Sequence, residues 1–548
     1  MKGHRPARYA PRHQPPQPRR QSKRGVQESI GFNAIGPVSV ASIPELNSGG
    51  LVGTTPVWLL AIKRRRAPLS RRGDMKEDID AQCARIVEKL RQAVAADPTF
   101  AVFGASRHNY AIGPTVSEET IRAFESGHGI ALPEHYRAFL KKVGNGGPGA
   151  DNRVAAGPFY GIFALGLGIH EFIDGDGDHF GIMPFIRPDM PRSEWEEAIK
   201  RLDSDRRSGD YFDRVCGRVF RGLLPIGHQG CQNFHALVLQ GPERGRVVNV
   251  DIELSPPVFC FEANFLDWYE RWLDEIVSGI LLKKGPTWFG YRMGGDDTQL
   301  LKVFKETDDK TEKLAALDGF GKLTAISAKS TGELPRIAAC DDPDLRRKAV
   351  VILTEFAYAL ARHPLEDLLE GPEEDQLTAC ESIHSFAKDH ATEWIDRVGP
   401  IAAKTNNSEL FRSASYVLEA SGADCSHYLL PATSHQDEAI RQRAIQAIGK
   451  GVQTSETIDA ILKGLSDEAP GVVHAALQAH DKPFDDRFFE VYAAIASRFK
   501  VDEHYILTNL GYCLKAAGYA SVDAFMADFE AKMGRRQVFQ WRVFGREG

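Results

Sequence analysis

The sequence predicts an α+β domain in the middle of the chain followed by an all-α helical solenoid, and three observations carry that reading. Residues 116–149 hold two capped amphipathic helices with a glycine-rich exit. Residues 157–250 hold short apolar runs with strand patterning, and past Gly285-Pro286 helical signals replace them, with a small residue recurring at a nearly constant interval. A chain of 548 residues is long for one core, and its length suggests about three or four domains.

Residues 1–74 are rich in Pro, Arg, Gln, Gly and Ser without sustained periodicity, and read as a disordered basic tail or as an upstream extension ahead of Met75. Their apolar run, Leu51 to Ile62, is too short to span a bilayer. Residues 75–114 supply a helix and a connection: Ile79, Cys83, Ile86, Val87, Leu90 and Val94 share one face before Asp97-Pro98, and the helix is expected to pack beside the α+β domain.

Two helices open that domain. Ser117 is a good N-cap, Glu118 and Glu119 suit the positive end of the helix dipole, and Ile121, Phe124 and Glu125 follow at helical spacing. Gly127 and Gly129 stop this helix. Leu132-Pro133 starts the next, where Pro133 needs no amide hydrogen, and Tyr136, Phe139, Leu140 and Val143 form its apolar stripe. Asn145-Gly146-Gly147-Pro148-Gly149 cannot continue it. Downstream lie Gly157-Pro158-Phe159-Tyr160-Gly161-Ile162-Phe163, then Leu224-Pro225-Ile226-Gly227-His228-Gln229-Gly230, then Phe234–Leu239 and Gly245–Val250 as paired strands. Phe265-Leu266-Asp267-Trp268-Tyr269 opens a closing helix.

This order of motifs resembles the SUKH superfamily, the Smi/Knr cell-wall-regulator type of domain. The residues that carry the resemblance are Glu125, Leu132, Pro133, Tyr136, Phe139, Leu140, Asn145, Gly146, Gly147, Pro225, Gly227 and Gly230. It covers roughly residues 115–279 and implies an α+β domain, a mixed or antiparallel sheet flanked by helices, within residues 115–284. Residues 168–221 depart from the pattern as an acidic insertion, expected to be an exposed, elaborated loop, with Asp174, Asp176, Asp178, Glu194 and Glu197 among its acids.

After a linker and helix at 285–330, residues 331–530 repeat. Aligning Ala349, Ala379, Ala414, Ala444 and Ala475 gives intervals of 30, 35, 30 and 31 residues, and a small residue at that place lets neighbouring helices approach closely. The pattern resembles a HEAT-like helical solenoid; a non-repetitive helical bundle is the other reading. Residues 531–548 form a C-terminal tail.

The net charge of −6 conceals a split: residues 1–74 hold 14 Lys and Arg against 3 Asp and Glu, leaving 54 basic against 71 acidic side chains elsewhere. So acidic a body repels nucleic acid and attracts basic partners, and no direct nucleic-acid binding by the body is expected. Eight cysteines without any C-x-x-C argue against a disulfide framework or thiolate zinc site, and point to the cytoplasm.

Chemistry-bearing motifs are sparse. Asp174-Gly175-Asp176-Gly177-Asp178 resembles half a calcium loop, but the sixth and twelfth places hold His179 and Phe185. His228, Cys231 and His235, with Cys216 and His170, match no closed zinc spacing. Gly144–Gly149 lacks the Lys-Ser/Thr of a phosphate loop, and G-x-S-x-G and H-E-x-x-H do not occur. The expectation is therefore a non-enzymatic protein without cofactor. The resemblance implies an immunity protein that binds and neutralises a toxin domain in bacteria, or a cell-wall regulator in fungi. Partner contact is assigned to Asp174, Asp176, Asp178, Glu194, Glu197, Tyr160 and Trp268. The alternatives are a scaffold that uses the domain for docking, and a hydrolase holding a divalent ion on Asp174, Asp176 and Asp178. Partner identity and oligomeric state are not encoded legibly.

Overall fold

A computed structural model describes residues 78–146, 154–169, 172, 179–188, 190–203, 217–230, 232–283, 289–480, 483–499 and 504–544. The basic segment 1–74, Gly147, Asp174, Asp176, Asp178, His170, Cys216 and Cys231 lie outside the described residues, and with them the calcium, zinc and hydrolase readings built on these side chains.

The first helix, α1 (Ile79–Ala96), starts where the Asp78 carboxylate accepts from the Asp80 amide at 2.9 Å. It leads to α2 (Glu118–His128) and α3 (Glu134–Lys142), then β1 (Val154–Ala155), β2 (Ile162–Phe163), α4 (Arg192–Asp203), β3 (Leu223–Gly230), β4 (Asn233–Val238), β5 (Val247–Asp251), β6 (Val258–Phe259) and α5 (Phe265–Val277). The six strands form one antiparallel sheet in sequence order.

Period-2 alternation divides the sheet between two cores. Leu224, Ile226, Leu237 and Val247 pack with Cys83, Ile86 and Leu90 of α1, Tyr136, Phe139 and Leu140 of α3, and Phe265, Trp268, Tyr269 and Trp272 of α5. Leu223, Phe234, Ala236, Val238, Val248 and Val250 pack on the opposite face with Phe172, Ile186, Trp195, Val219 and Phe220. The second group corrects the expectation that 168–221 is an exposed loop: Phe172, Trp195 and Phe220 of this segment are buried on the sheet. Trp195 is 1% exposed, and its indole N–H donates to the Leu254 carbonyl at 2.8 Å. The acids of α4 dominate the sequence impression because they occupy the outer face of a helix whose inner face is apolar.

α1 belongs to the first core rather than to a separate unit. Gln82, Arg85 and Lys89 converge on Glu270 of α5 at 3.1, 3.0 and 2.9 Å. Burial opposes ionisation of Glu270, yet the hydrogen bonds from Arg85, Lys89 and Gln82 hold its carboxyl below the ordinary value.

Beyond residue 289 the described chain is helical: α6 (Asp297–Glu306), α7 (Lys310–Asp318), α8 (Ala328–Ala338), α9 (Pro343–Phe356), α10 (Tyr358–Glu370), α11 (Glu373–Phe386), α12 (Ile395–Lys404), α13 (Ser408–Ala420), α14 (Glu438–Lys450), α15 (Ser455–Leu465), α16 (Pro470–Gln478), α17 (Arg487–Arg498), α18 (His504–Ala516) and α19 (Val522–Phe544). Ala349, Ala379, Ala414, Ala444 and Ala475 lie on α9, α11, α13, α14 and α16, all wholly buried, and these helices pack on one another in that order. Side-chain bonds within this region join near neighbours in sequence: Arg346 to Asp375, Arg443 to Ser415, Arg441 to Asp467, Arg487 to Asp459 and Asn509 to His474 span between 26 and 35 residues.

A buried charge cluster joins α5 to this region. Arg271 reaches Glu262 at 2.6 Å, Glu275 at 2.9 Å and the Arg292 carbonyl at 2.7 Å. Lys322, only 1% exposed, lies 3.7 Å from Glu275 and donates to the Gly295 carbonyl.

Candidate functional site

The motif residues at the domain's entrance act as joints. Glu125 of α2 accepts from the Leu132 amide at 2.8 Å, so it fixes the turn into α3, while Pro133 caps that helix. Leu132, Tyr136, Phe139 and Leu140 are buried. The Asn145 side chain accepts from the Leu165 amide at 2.8 Å, and a Cβ on Gly146 would lie 1.7 Å from the Ala164 nitrogen, so only glycine lets the helix exit lie against the strand segment. In β3, Pro225, Gly227 and Gly230 flank two register irregularities against β4. Such irregularities re-aim side chains.

His228 and Gly230 of this strand lie against Tyr160 of a surface platform. The loop between α1 and α2 is held by Asp97, 1% exposed, whose carboxylate accepts from the Ala101 and Val102 amides at 2.7 and 3.0 Å and from the Tyr110 hydroxyl at 2.7 Å. Positive backbone φ angles at Phe100 (55°), Asn109 (50°) and Tyr110 (55°), and at Phe159 (55°) on the facing loop, mark a conformation that side-chain-bearing residues seldom adopt. Gly104 makes the approach of the two loops possible, since a Cβ there would meet the Phe159 carbonyl oxygen at 1.9 Å.

The loops present Phe103, 43% exposed, against Tyr160 at 5.2 Å and edge-on to Phe159 at 6.3 Å. The Arg107 guanidinium lies 5.8 Å from the Tyr160 ring centre, in cation–π contact. The Tyr160 amide donates to the His228 carbonyl at 3.1 Å, and the His228 ring stands 6.0 Å from the tyrosine ring. The arrangement is aromatic and cationic.

Behind it runs a buried polar chain. Tyr291 donates to Gln229 Oε1 at 2.9 Å, Gln229 Nε2 donates to Asn249 Oδ1 at 2.9 Å, and His235 Nδ1 donates to the same oxygen at 2.9 Å. Burial holds His235 neutral, pushing its pKa down to about 3. Asn249 accepts two bonds and links adjacent strands, which makes the chain a structural brace. Sequence reasoning missed this brace because its members are separated by up to 62 residues.

The assigned partner-contact residues part company in space. Tyr160 is half-buried on the platform. Glu194 lies elsewhere, on α4, paired to Arg187 through two bonds of 2.9 and 2.5 Å, and Glu197 is exposed on the same helix. Trp268 is corrected: it is wholly buried against His235, Phe265 and Phe289, because the apolar side of α5 faces the sheet, and so it is not a surface anchor. Tyr269 and Trp272 are buried with it. Phe103 and Arg107, which the sequence left unremarked, complete the platform; no signal in the sequence marks either of them as exposed. Burial raises the pKa of the Cys83 thiol to about 11 and of Cys380 to about 12, which keeps both protonated. No group of three or more His, Cys, Asp or Glu with metal-holding geometry occurs among the described residues, and no described helix is long and apolar enough to cross a membrane.

Residues 115–271 match the SMI1/KNR4 family (SUKH-1), and this stretch of the chain is a domain of that family. No curated protein matches the sequence. An X-ray structure of Escherichia coli YibA aligns with 43% of this chain and 92% of its own, at 12% identity and a TM-score of 0.33.

Proposed function

We propose that this SUKH-1-containing chain is a non-enzymatic protein-interaction protein of the immunity type, one that binds and neutralises a toxin domain. The family domain at residues 115–271 is the observation that carries the reading. The excess of 71 acidic over 54 basic side chains beyond residue 74 adds a physical rationale: a basic toxin, such as a nuclease, is steered onto an acidic binder and masked by it. Asp174, Asp176, Asp178, Glu194 and Glu197 are proposed as the acids that meet such a partner.

The test is co-expression with toxin-like proteins encoded beside this chain's own gene. Rescue of growth, together with a complex that weakens as salt is raised, is the expected result. Failure with every neighbour counts against immunity.

A second reading, a scaffold that uses the SUKH-1 domain for docking, draws on the C-terminal helices. We propose that residues 331–530 are HEAT-like repeats. The serial packing of the alanine-bearing helices and the short sequence span of their connecting bonds support it, since in a repeat array each unit contacts only its neighbours. The scaffold reading predicts that the helical region alone retains a partner that the SUKH-1 domain does not.

A further inference from the structure

We propose that Phe103, Arg107 and Tyr160 form a docking surface for an acidic, apolar-flanked segment of a partner protein. The proposal rests on the protein-interaction reading above and adds to it a second place of contact and a local ligand chemistry: an acidic segment carried by a partner whose surface is otherwise basic.

Three independent observations meet at this spot. The backbone strain is concentrated there: four of the five side-chain-bearing residues with positive φ among those described, Phe100, Asn109, Tyr110 and Phe159, lie in the two loops that build it. Strain of this kind persists only where surrounding structure over-determines it, and here the Asp97 bonds and the Gly104 contact do so. The surface composition is that of an interface centre, since an exposed Phe, a half-buried Tyr and an Arg are the residue types that anchor partners.

Charge then selects the ligand. Arg107 is exposed and held over an aromatic ring, yet no acidic side chain pairs with it among the described residues. Arg85, Arg137, Arg187, Arg271, Arg346 and Arg441 all meet carboxylates, whereas the exposed Arg107 guanidinium has its hydrogen-bonding fork unused by the described residues. A guanidinium fork fits a carboxylate in two-point fashion, and the Phe103–Tyr160 pair offers apolar contact beside it. A partner segment with Asp or Glu next to an aliphatic or aromatic residue satisfies both.

The experiment is selection of a phage-displayed random-peptide library on the full chain, followed by affinity measurement of the selected peptides on Arg107→Glu and Phe103→Ser. Both side chains are exposed and Arg107 makes no ion pair within the described chain, so thermal melting of Arg107→Glu is expected to match the parent. Selected sequences are expected to carry Asp or Glu beside an apolar residue, and to bind Arg107→Glu about tenfold more weakly, the loss of one charge-assisted contact. Peptides without acids, or equal retention by both variants, overturn the proposal. So does a single-stranded oligonucleotide that binds the parent and is lost on Arg107→Glu, because arginine over stacked aromatics also suits nucleic acid. If the platform fails while growth rescue by the parent chain persists, the interaction reading stands and only the site is wrong. If rescue fails while the selected peptides behave as expected, the site stands and immunity falls.

Discussion

At the scale of single residues, burial sets the sharpest expectations. His108 and His179 are pushed down to about 4 and His235 to about 3 by loss of solvent, from an ordinary 6.5. Unfolding returns them to 6.5, so between those values the unfolded chain binds more protons and stability falls as pH drops below 6.5. Each histidine contributes up to about 1.4 kcal/mol per pH unit in that window. Denaturant midpoints measured from neutral to mildly acidic pH are expected to fall less steeply in His235→Gln than in the parent; parallel slopes would show that His235 titrates normally. Trp195→Ala removes the aromatic that covers the second sheet face and is expected to cost about 3–5 kcal/mol, read by chemical unfolding. Neither effect was legible in sequence, where Trp195 stands among acids and nothing within the Phe234–Leu239 run shows what packs over His235.

At the scale of elements, local rules and close contacts separate cleanly. The Ser117 hydroxyl accepts from the Thr120 amide at 3.1 Å, as its place before two glutamates predicts, and Ser117→Ala is expected to cost about 1 kcal/mol. Gly146→Ala is expected to cost more, about 1–3 kcal/mol or beyond, since its Cβ would collide with backbone at Ala164 rather than with a movable side chain. Thermal melting of the two variants side by side checks the order; equal shifts would mean that the helix exit can slide away from the strand. The helices α2 and α3, the β4–β5 pair and the alanine period were readable because caps, stripes and alternation act within a few residues. The double coverage of the sheet was not readable. An insertion judged by its charge conceals the apolar residues that decide which side of a helix turns inward.

At the scale of the whole molecule, the buried Arg271 cluster is expected to make the SUKH-1 domain and the helical region melt together. Burial raises the Glu275 carboxyl, opposed by Arg271 and Lys322, while Glu262 and Glu275 hold the Arg271 guanidinium charged. Truncation by Arg271→Ala leaves two buried carboxylates without their main cation and is expected to cost about 3–5 kcal/mol. Calorimetry is expected to resolve one transition in the parent and two in the variant. A single, lowered transition would show that other contacts couple the two parts.

The sequence by itself determined the two entry helices of the α+β domain, its β4–β5 pair and the spacing of the C-terminal alanines, because each follows from interactions between near neighbours in the chain. Tertiary structure alone decided that Trp268 is core, that Phe172, Trp195 and Phe220 cover the sheet, that Arg271 bridges two regions, and that Phe103, Arg107 and Tyr160 share one surface. Those outcomes depend on which faces meet after the chain has closed loops of tens to hundreds of residues, and no local pattern carries that information.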